Sequence, residues 1–339
     1  KSKVNLIILE SIKYMSSGQN IRVEGAEVPI TFSIIPRSIF NIFMSQIYLN
    51  NNNIEKQIKT SIRMICRLQS KVVGFLPEMV DQYFPFLLNA IANSNYVESF
   101  RIPELPNTDV YSCLSKYLKS NKYEYSSIIH LQISKQGMKS FNTFCESLSK
   151  EKSVKNRISG LTFTNSELNQ DQLKTLSEAI INSKWNNGYE INSIKFENAI
   201  SDDVNFVDSF FPNLASIASA NSPLKLFSLN RMKIGDVNQL ISLLKGVRVL
   251  SLSYMGIDIS SIFEAISNTG MEELMFLNVS GNFLNETVSN VKKLPSSLQR
   301  LDVNEVDFLV KNPKSEKGNM LIDFFISVLN KKWNSLFYL

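Results

Sequence analysis

Few side chains in this sequence are of a type and spacing that could do chemistry. Its one histidine is His130, so any Ser–His–Asp or Cys–His relay would have to run through it. It stands in IIHLQIS between two apolar positions, the pattern of a surface residue on a strand. No GxxxxGK[ST], GxGxxG or HExxH string occurs. The carboxylate pairs Asp202–Asp203 and Glu272–Glu273 fall where helices start or loops turn, and a helix start favours negative charge without any catalytic reason. Ser253 and Ser280 sit on strands at positions expected to face solvent. The sequence therefore supports no catalytic residue, no metal-ligand set and no cofactor, and predicts a protein that is not an enzyme.

The cysteines are Cys66, Cys113 and Cys145. They are far apart, each lies in a stretch of helical periodicity, and no CxxC or Cys/His cluster accompanies them. This predicts free thiols and a reducing, cytoplasmic setting. The 36 basic and 31 acidic residues leave a formal charge of +5 without a dense Lys/Arg block, so nucleic acid is not an expected partner. No apolar run reaches the ~18 residues that span a bilayer. VNLIILESI at the start and WNSLFYL at the end both read as repeating strands, so the chain reads as a piece of a longer protein.

The elements that position these residues are visible in Leu274–Leu284, LMFLNVSGNFL. It reads L-x-x-L-x-L-x-x-N-x-L without a fault, the strand and turn of a leucine-rich repeat. One such unit cannot bury its own apolar face and implies neighbours stacked beside it. MSQIYLNNNNI, with Met44, Ile47, Leu49, Asn52 and Ile54, reads as a second close match. Registered by the second apolar residue of the motif, the clear anchors are Ile47, Phe100, Leu131, Leu161, Ile194, Phe227, Leu250, Leu277 and Leu301, with Ile7, Phe75 and Leu336 weaker. From Phe100 on they recur at roughly 23 to 33 residues, which implies about twelve units. The expected fold is α/β: a leucine-rich repeat solenoid over 1–339, a curved horseshoe with a parallel sheet on its concave side and helices on its convex side. Units in 1–95 are irregular and those in 96–339 regular.

Several local expectations follow. Ile54, Ile58, Ile62, Ile65 and Leu68 form one face of a helix, Val80–Ile91 reads as a buried helix, and Met320–Leu329 as an apolar one. ISGLTFTNSEL followed by NQDQLKTLSEAIINS is a complete unit, whereas INSIKFENAI is one residue short after its strand. The asparagine slot of the turn can bond neighbouring backbone. Asn52 and Asn282 fill it, and Gln136, Ser166, Met232, Met255 and Val306 stand there elsewhere.

Period-2 alternation turns the residue before each anchor toward the concave face. Those residues include three successive apolar ones, Leu226, Val249 and Phe276, where polar side chains are the rule. Arg231, Arg248 and Arg300 lie nearby, and Tyr254, Arg231 and Glu305 occupy equivalent places just past their strands. Aromatic, aliphatic and arginine side chains together are typical of interface centres. Leu226, Val249, Phe276, Tyr254, Arg231, Arg248 and Arg300 are thus the candidate partner-binding residues, the alternative being that a helix, a loop or a flanking region covers the apolar stripe. The expected ligand is a protein on the concave face, and an open solenoid end offers a surface for a homodimer.

Over essentially its whole length the pattern resembles the ribonuclease-inhibitor-like leucine-rich repeat superfamily. Within it, PLKLFSLNRMKI, GVRVLSLSYMGID and LMFLNVSGNFL resemble the CARMIL family of cytoskeletal regulators. That resemblance implies a non-catalytic scaffold in actin regulation, its membrane-binding and capping-protein-binding parts lying outside this sequence. A second resemblance, to the Ran-specific GTPase-activating repeat proteins, implies a GTPase activator. It would call for a polar, Asn/Arg-rich rim on the first units and usually an acidic tail; this sequence shows no acidic tail, and its N-terminal units are irregular.

Overall fold

The computed structural model describes residues 39–50, 54–68, 70–77, 81–94, 96–120, 126–149, 158–183, 191–215, 224–284 and 294–308. The expectations at Ile7, Asn52, Met320–Leu329 and Leu336 lie outside them. The chain forms two compact units that divide at Ser159–Gly160.

The first unit contains α1 (Ile39–Leu49), α2 (Lys56–Arg67), β1 (Val72–Gly74), α3 (Phe84–Ala92), β2 (Ser99–Ile102), α4 (Val110–Leu118), β3 (His130–Ser134) and α5 (Phe141–Ser149). β1, β2 and β3 are parallel, with Val73 opposite Phe100 and Phe100 opposite Leu131. The anchor of the first of these repeats is therefore Val73 and not Phe75. Both are buried and both face the same way, since they are two apart on an extended chain, so only the pairing with Phe100 separates them.

A larger correction concerns Ile47, which is helical. Ile39, Ile42, Phe43 and Ile47 are all buried, a three- and four-residue spacing that continues upstream of the supposed strand. The strand motif and a helix face share their first interval, and the helix wins on length. The helical face read over Ile54–Leu68 is only partly covered: Ile62 is buried, while Leu68, just past the end of α2, is 76% exposed.

Around α4 and α5 the core is aromatic. Tyr111 is fully buried, its ring 5.1 Å from Phe141 and 5.4 Å from Phe144. Among the described residues its hydroxyl has no hydrogen-bond partner, and burial pushes its pKa up. A buried hydroxyl without a partner costs about 1–3 kcal/mol. Tyr111→Phe is accordingly expected to raise stability by about 1 kcal/mol, measured as a higher urea midpoint. A lower midpoint would show that the hydroxyl is satisfied.

Cys66, Cys113 and Cys145 are free thiols, on α2, α4 and α5 as the periodicity implied. Burial pushes the Cys66 thiol up to about 12. It raises Cys145 further, with the Glu146 carboxylate adding to the shift. Cys113 is half-buried, and Lys116 partly offsets the desolvation there. Because the thiolate is the reactive form, Cys113 should alkylate first in native protein and Cys145 only on unfolding. Peptide mapping after timed alkylation reads the order, and a Cys145 that reacts first would contradict it.

The second unit runs β4 (Gly160–Thr164), α6 (Gln170–Ser183), β5 (Ser193–Glu197), α7 (Phe206–Ala215), β6 (Leu226–Asn230), α8 (Val237–Leu243), β7 (Val249–Ser253), α9 (Ile259–Thr269), β8 (Phe276–Asn278), β9 (Phe283–Leu284), β10 (Arg300–Asp302) and β11 (Asp307–Phe308). Strands β4 to β8 and β10 are parallel neighbours in chain order, and the six anchors stand opposite one another: Leu161, Ile194, Phe227, Leu250, Leu277 and Leu301. All six are fully buried. Alternating α and β with each strand beside the last makes this the α/β leucine-rich repeat solenoid.

Sequence chemistry sets the helix ends. Asn169 and Gln172 cap α6 reciprocally, each side chain bonding the other's backbone N–H at 3.0 and 2.9 Å. Asp236 and Asp258 cap α8 and α9, and Gly270 ends α9 in the left-handed conformation it tolerates best. Inside, Phe196 and Phe227 reach from the sheet into the rings of Phe206, Phe210 and Phe211 on α7 at 5.4–6.5 Å. The helices thus cover one sheet face, and the alternate residues lie on the other.

Two ladders bind one repeat to the next. The fourth residue after each anchor has a positive φ: Asn165, Asn198, Arg231, Tyr254, Gly281 and Glu305. For the first five, its N–H bonds the carbonyl one place earlier in the next repeat, at 2.8–3.2 Å. Asn282, one place later, is buried. Its amide donates to the carbonyls of Leu252 and Val279 and accepts from the N–H groups of Met255 and Ile257. Gln136 does the same work in the first unit, donating to the carbonyl of Pro103 and accepting from the N–H of Leu105. The isolated bridge between Leu168 and Ile200 shows the unit at Ile194 to be one residue short, as read.

Candidate protein-binding face

The sheet face of the second unit opposite its helices presents three rows. Before the anchors come Ser193, Leu226, Val249, Phe276 and Arg300, consecutive Cα partners across β5, β6, β7, β8 and β10. Leu226, Val249 and Phe276 are half-buried, unlike the fully buried Phe227, Leu250 and Leu277 beside them. The apolar stripe is therefore one row in register. The Arg300 guanidinium lies over the Phe276 ring, 4.9 Å from its centroid, and its fork bonds Asp302 at 2.9 and 3.0 Å.

The next row along the strands is Thr162, Lys195, Ser228, Ser251, Asn278 and Asp302. Beyond it Ser253 and Ser280, expected to face solvent, are buried. Asn230 donates to the Ser253 hydroxyl at 3.0 Å, and the Asn304 N–H donates to the Ser280 hydroxyl at 3.1 Å. These serines hold neighbouring repeats together, and that use removes them from solvent.

The left-handed column forms the far rim. Arg231 stacks on Tyr254, 5.1 Å from its centroid, and reaches Glu197 at 3.9 Å. Tyr254 crosses the intervening repeat and donates its hydroxyl to Glu305 at 2.7 Å. It does so over Gly281, where an added Cβ would stand 2.2 Å from the tyrosine ring. It is the ring that requires glycine there, since Arg231, Tyr254 and Glu305 take a positive φ at the equivalent places. The hydrogen bond to Glu305 is the main cause of a raised Tyr254 pKa. The link thus holds below the ordinary tyrosine value of about 10 and is lost as pH rises through the raised one.

Arg248 is at the opposite edge and turns to Glu273, bonding it at 3.1 Å, with Lys225 3.6 Å away. The Arg248 hydrogen bond, then Lys225, holds Glu273 below the usual carboxylate range. This cluster is complete above the unperturbed glutamate value and is lost as pH falls through the lowered one.

Leu226, Val249, Phe276 and Arg300 thus form one row, Arg231 and Tyr254 stack in another, and Arg248 borders the first. The sequence reading missed Lys195, Gly281, Glu197 and Asp302, and took Glu273 only as a carboxylate at a helix start or loop. Lys195 and Asp302 follow their anchors directly, and period-2 alternation places them on the same face as the residues before the anchors. His130 is on β3, opposite Ser99. Among the described residues there is no group of three or more metal-binding side chains, and no helix is long and apolar enough to cross a membrane.

No family model matches the chain, and no curated protein does. Among solved structures, the chain is similar to an internalin from Listeria monocytogenes at 12% identity. The likeness covers 82% of this chain and 87% of that one, with a TM-score of 0.35.

Proposed function

We propose that this chain is a non-catalytic protein-interaction scaffold, and that the open sheet face of its second unit holds the partner. The observation that carries this is the row Leu226–Val249–Phe276. Three apolar side chains stand in register on a face where contact with water alone would favour polar ones, and contiguous apolar surface marks interaction sites. Arg300 over Phe276 and Arg231 over Tyr254 add the arginine–aromatic pairs common at interface centres.

In its finer form the scaffold is cytoplasmic and acts in regulating the actin cytoskeleton. Support for that comes from the repeat strings that resemble the CARMIL family. Nothing in the geometry of the described residues favours GTPase activation.

Phe276→Ser tests the face. Phe276 is half-buried and carries one cation–π contact, so its loss should cost about 1 kcal/mol of stability. At an interface centre the same change should weaken binding by about 2 kcal/mol or more. Thermal unfolding and affinity for the partner are measured on the one variant. A loss of several kcal/mol in stability would make Phe276 core, and unchanged affinity would place the site elsewhere.

A further inference from the structure

The charges on this face suggest the chemistry of its ligand. Glu273 takes Arg248 and Lys225, Asp302 takes Arg300, and Glu197 takes Arg231. Lys195 is half-buried on β5 and, among the described residues, has no carboxylate within ion-pair distance. A partly desolvated ammonium without a counter-charge favours a carboxylate supplied from outside. Beside it the Ser228 hydroxyl makes no hydrogen bond among the described residues. Among the described residues the Ser251 hydroxyl bonds only that of Ser253, at 3.5 Å. Asn278 accepts from the Ser280 N–H, which leaves its amide hydrogens to give.

The face is therefore zoned. A cation stands at β5, small hydroxyls form the floor over β6 and β7, and the apolar row runs beside them to Phe276 on β8. Adjacent strands are about 4.8 Å apart, so β5 to β8 is about 14 Å, which an extended chain covers in about four or five residues.

Resting on the binding-face reading above, we propose that the ligand is an extended acidic–apolar segment of a partner protein lying across the strands. Its carboxylate pairs with Lys195, and its apolar side chains pack on Leu226, Val249 and Phe276. Its backbone bonds Ser228, Ser251 and Asn278.

The test is selection of random dodecapeptides on the immobilised full chain, followed by anisotropy titration of an enriched peptide. The expected peptides carry Asp or Glu three to five residues from an apolar or aromatic pair. Lys195→Glu and the milder Lys195→Gln should each weaken binding, the former at least tenfold, with thermal unfolding unchanged. Replacing the peptide's acid by lysine should restore affinity for Lys195→Glu. Phe276→Ser should also weaken binding at least tenfold. If Phe276→Ser weakens binding but neither Lys195 variant does, the ligand chemistry is overturned and the binding face stands. If none of the three matters, or if no peptide is enriched, both are overturned.

Discussion

Asn282→Ala is expected to lower the unfolding free energy by about 3–5 kcal/mol, since each buried polar group it orphans costs about 1–3 kcal/mol. The side chain is 2% exposed, so water cannot replace it. Its oxygen accepts from Met255 and Ile257 at 3.0 and 3.3 Å, and its amide donates to Leu252 and Val279 at 2.6 and 2.9 Å. Removing it strands two N–H groups and two carbonyls, three of these four in the preceding repeat. Urea unfolding checks this, through a lower midpoint at unchanged slope. A loss below about 1 kcal/mol, the net worth of a single hydrogen bond, would mean the turns hold without the asparagine.

Phe206→Ala should cost about as much, 3–5 kcal/mol being usual for a buried phenylalanine. The side chain is fully buried on α7. Its ring lies 5.3–6.1 Å from those of Phe196, Phe210, Phe211 and Phe227. This helix is thus keyed to two successive strands through one side chain, and a cavity there loosens both. Phe206→Leu keeps most of the volume and should cost about 1.5 kcal/mol or less. If both variants cost the same, the aromatic contacts and not the volume would be what matters.

The regular repeats were legible because two independent patterns agree in them. Alternation places Leu161, Ile194, Phe227, Leu250, Leu277 and Leu301 inward, and the helices that follow carry their own three- and four-residue spacing. The N-terminal region was not legible in the same way. At Ile47 one apolar pattern satisfies two templates, and the upstream residues Ile39, Ile42 and Phe43 decide for the helix. At Phe75 and Val73 alternation cannot choose between same-facing neighbours, and only the long-range partner Phe100 does.

The candidate face was half legible. The row Leu226–Val249–Phe276 follows from register alone. What lies across it does not, because Tyr254 meets Glu305 only over an intervening glycine, and Ser253 and Ser280 are buried by bonds from adjacent repeats. Sequence spacing does not encode which side chain of the next repeat leans over.

The binding face is tested most directly by photo-cross-linking in the cells that make the protein. A photoreactive residue replaces Val249 on the open face or, as control, the exposed Gln239 on α8. The expected result is a discrete adduct with one partner protein from position 249, absent from position 239, and lost when Phe276→Ser is added. Equal adducts at both positions, or an adduct at 249 that survives Phe276→Ser, would contradict it.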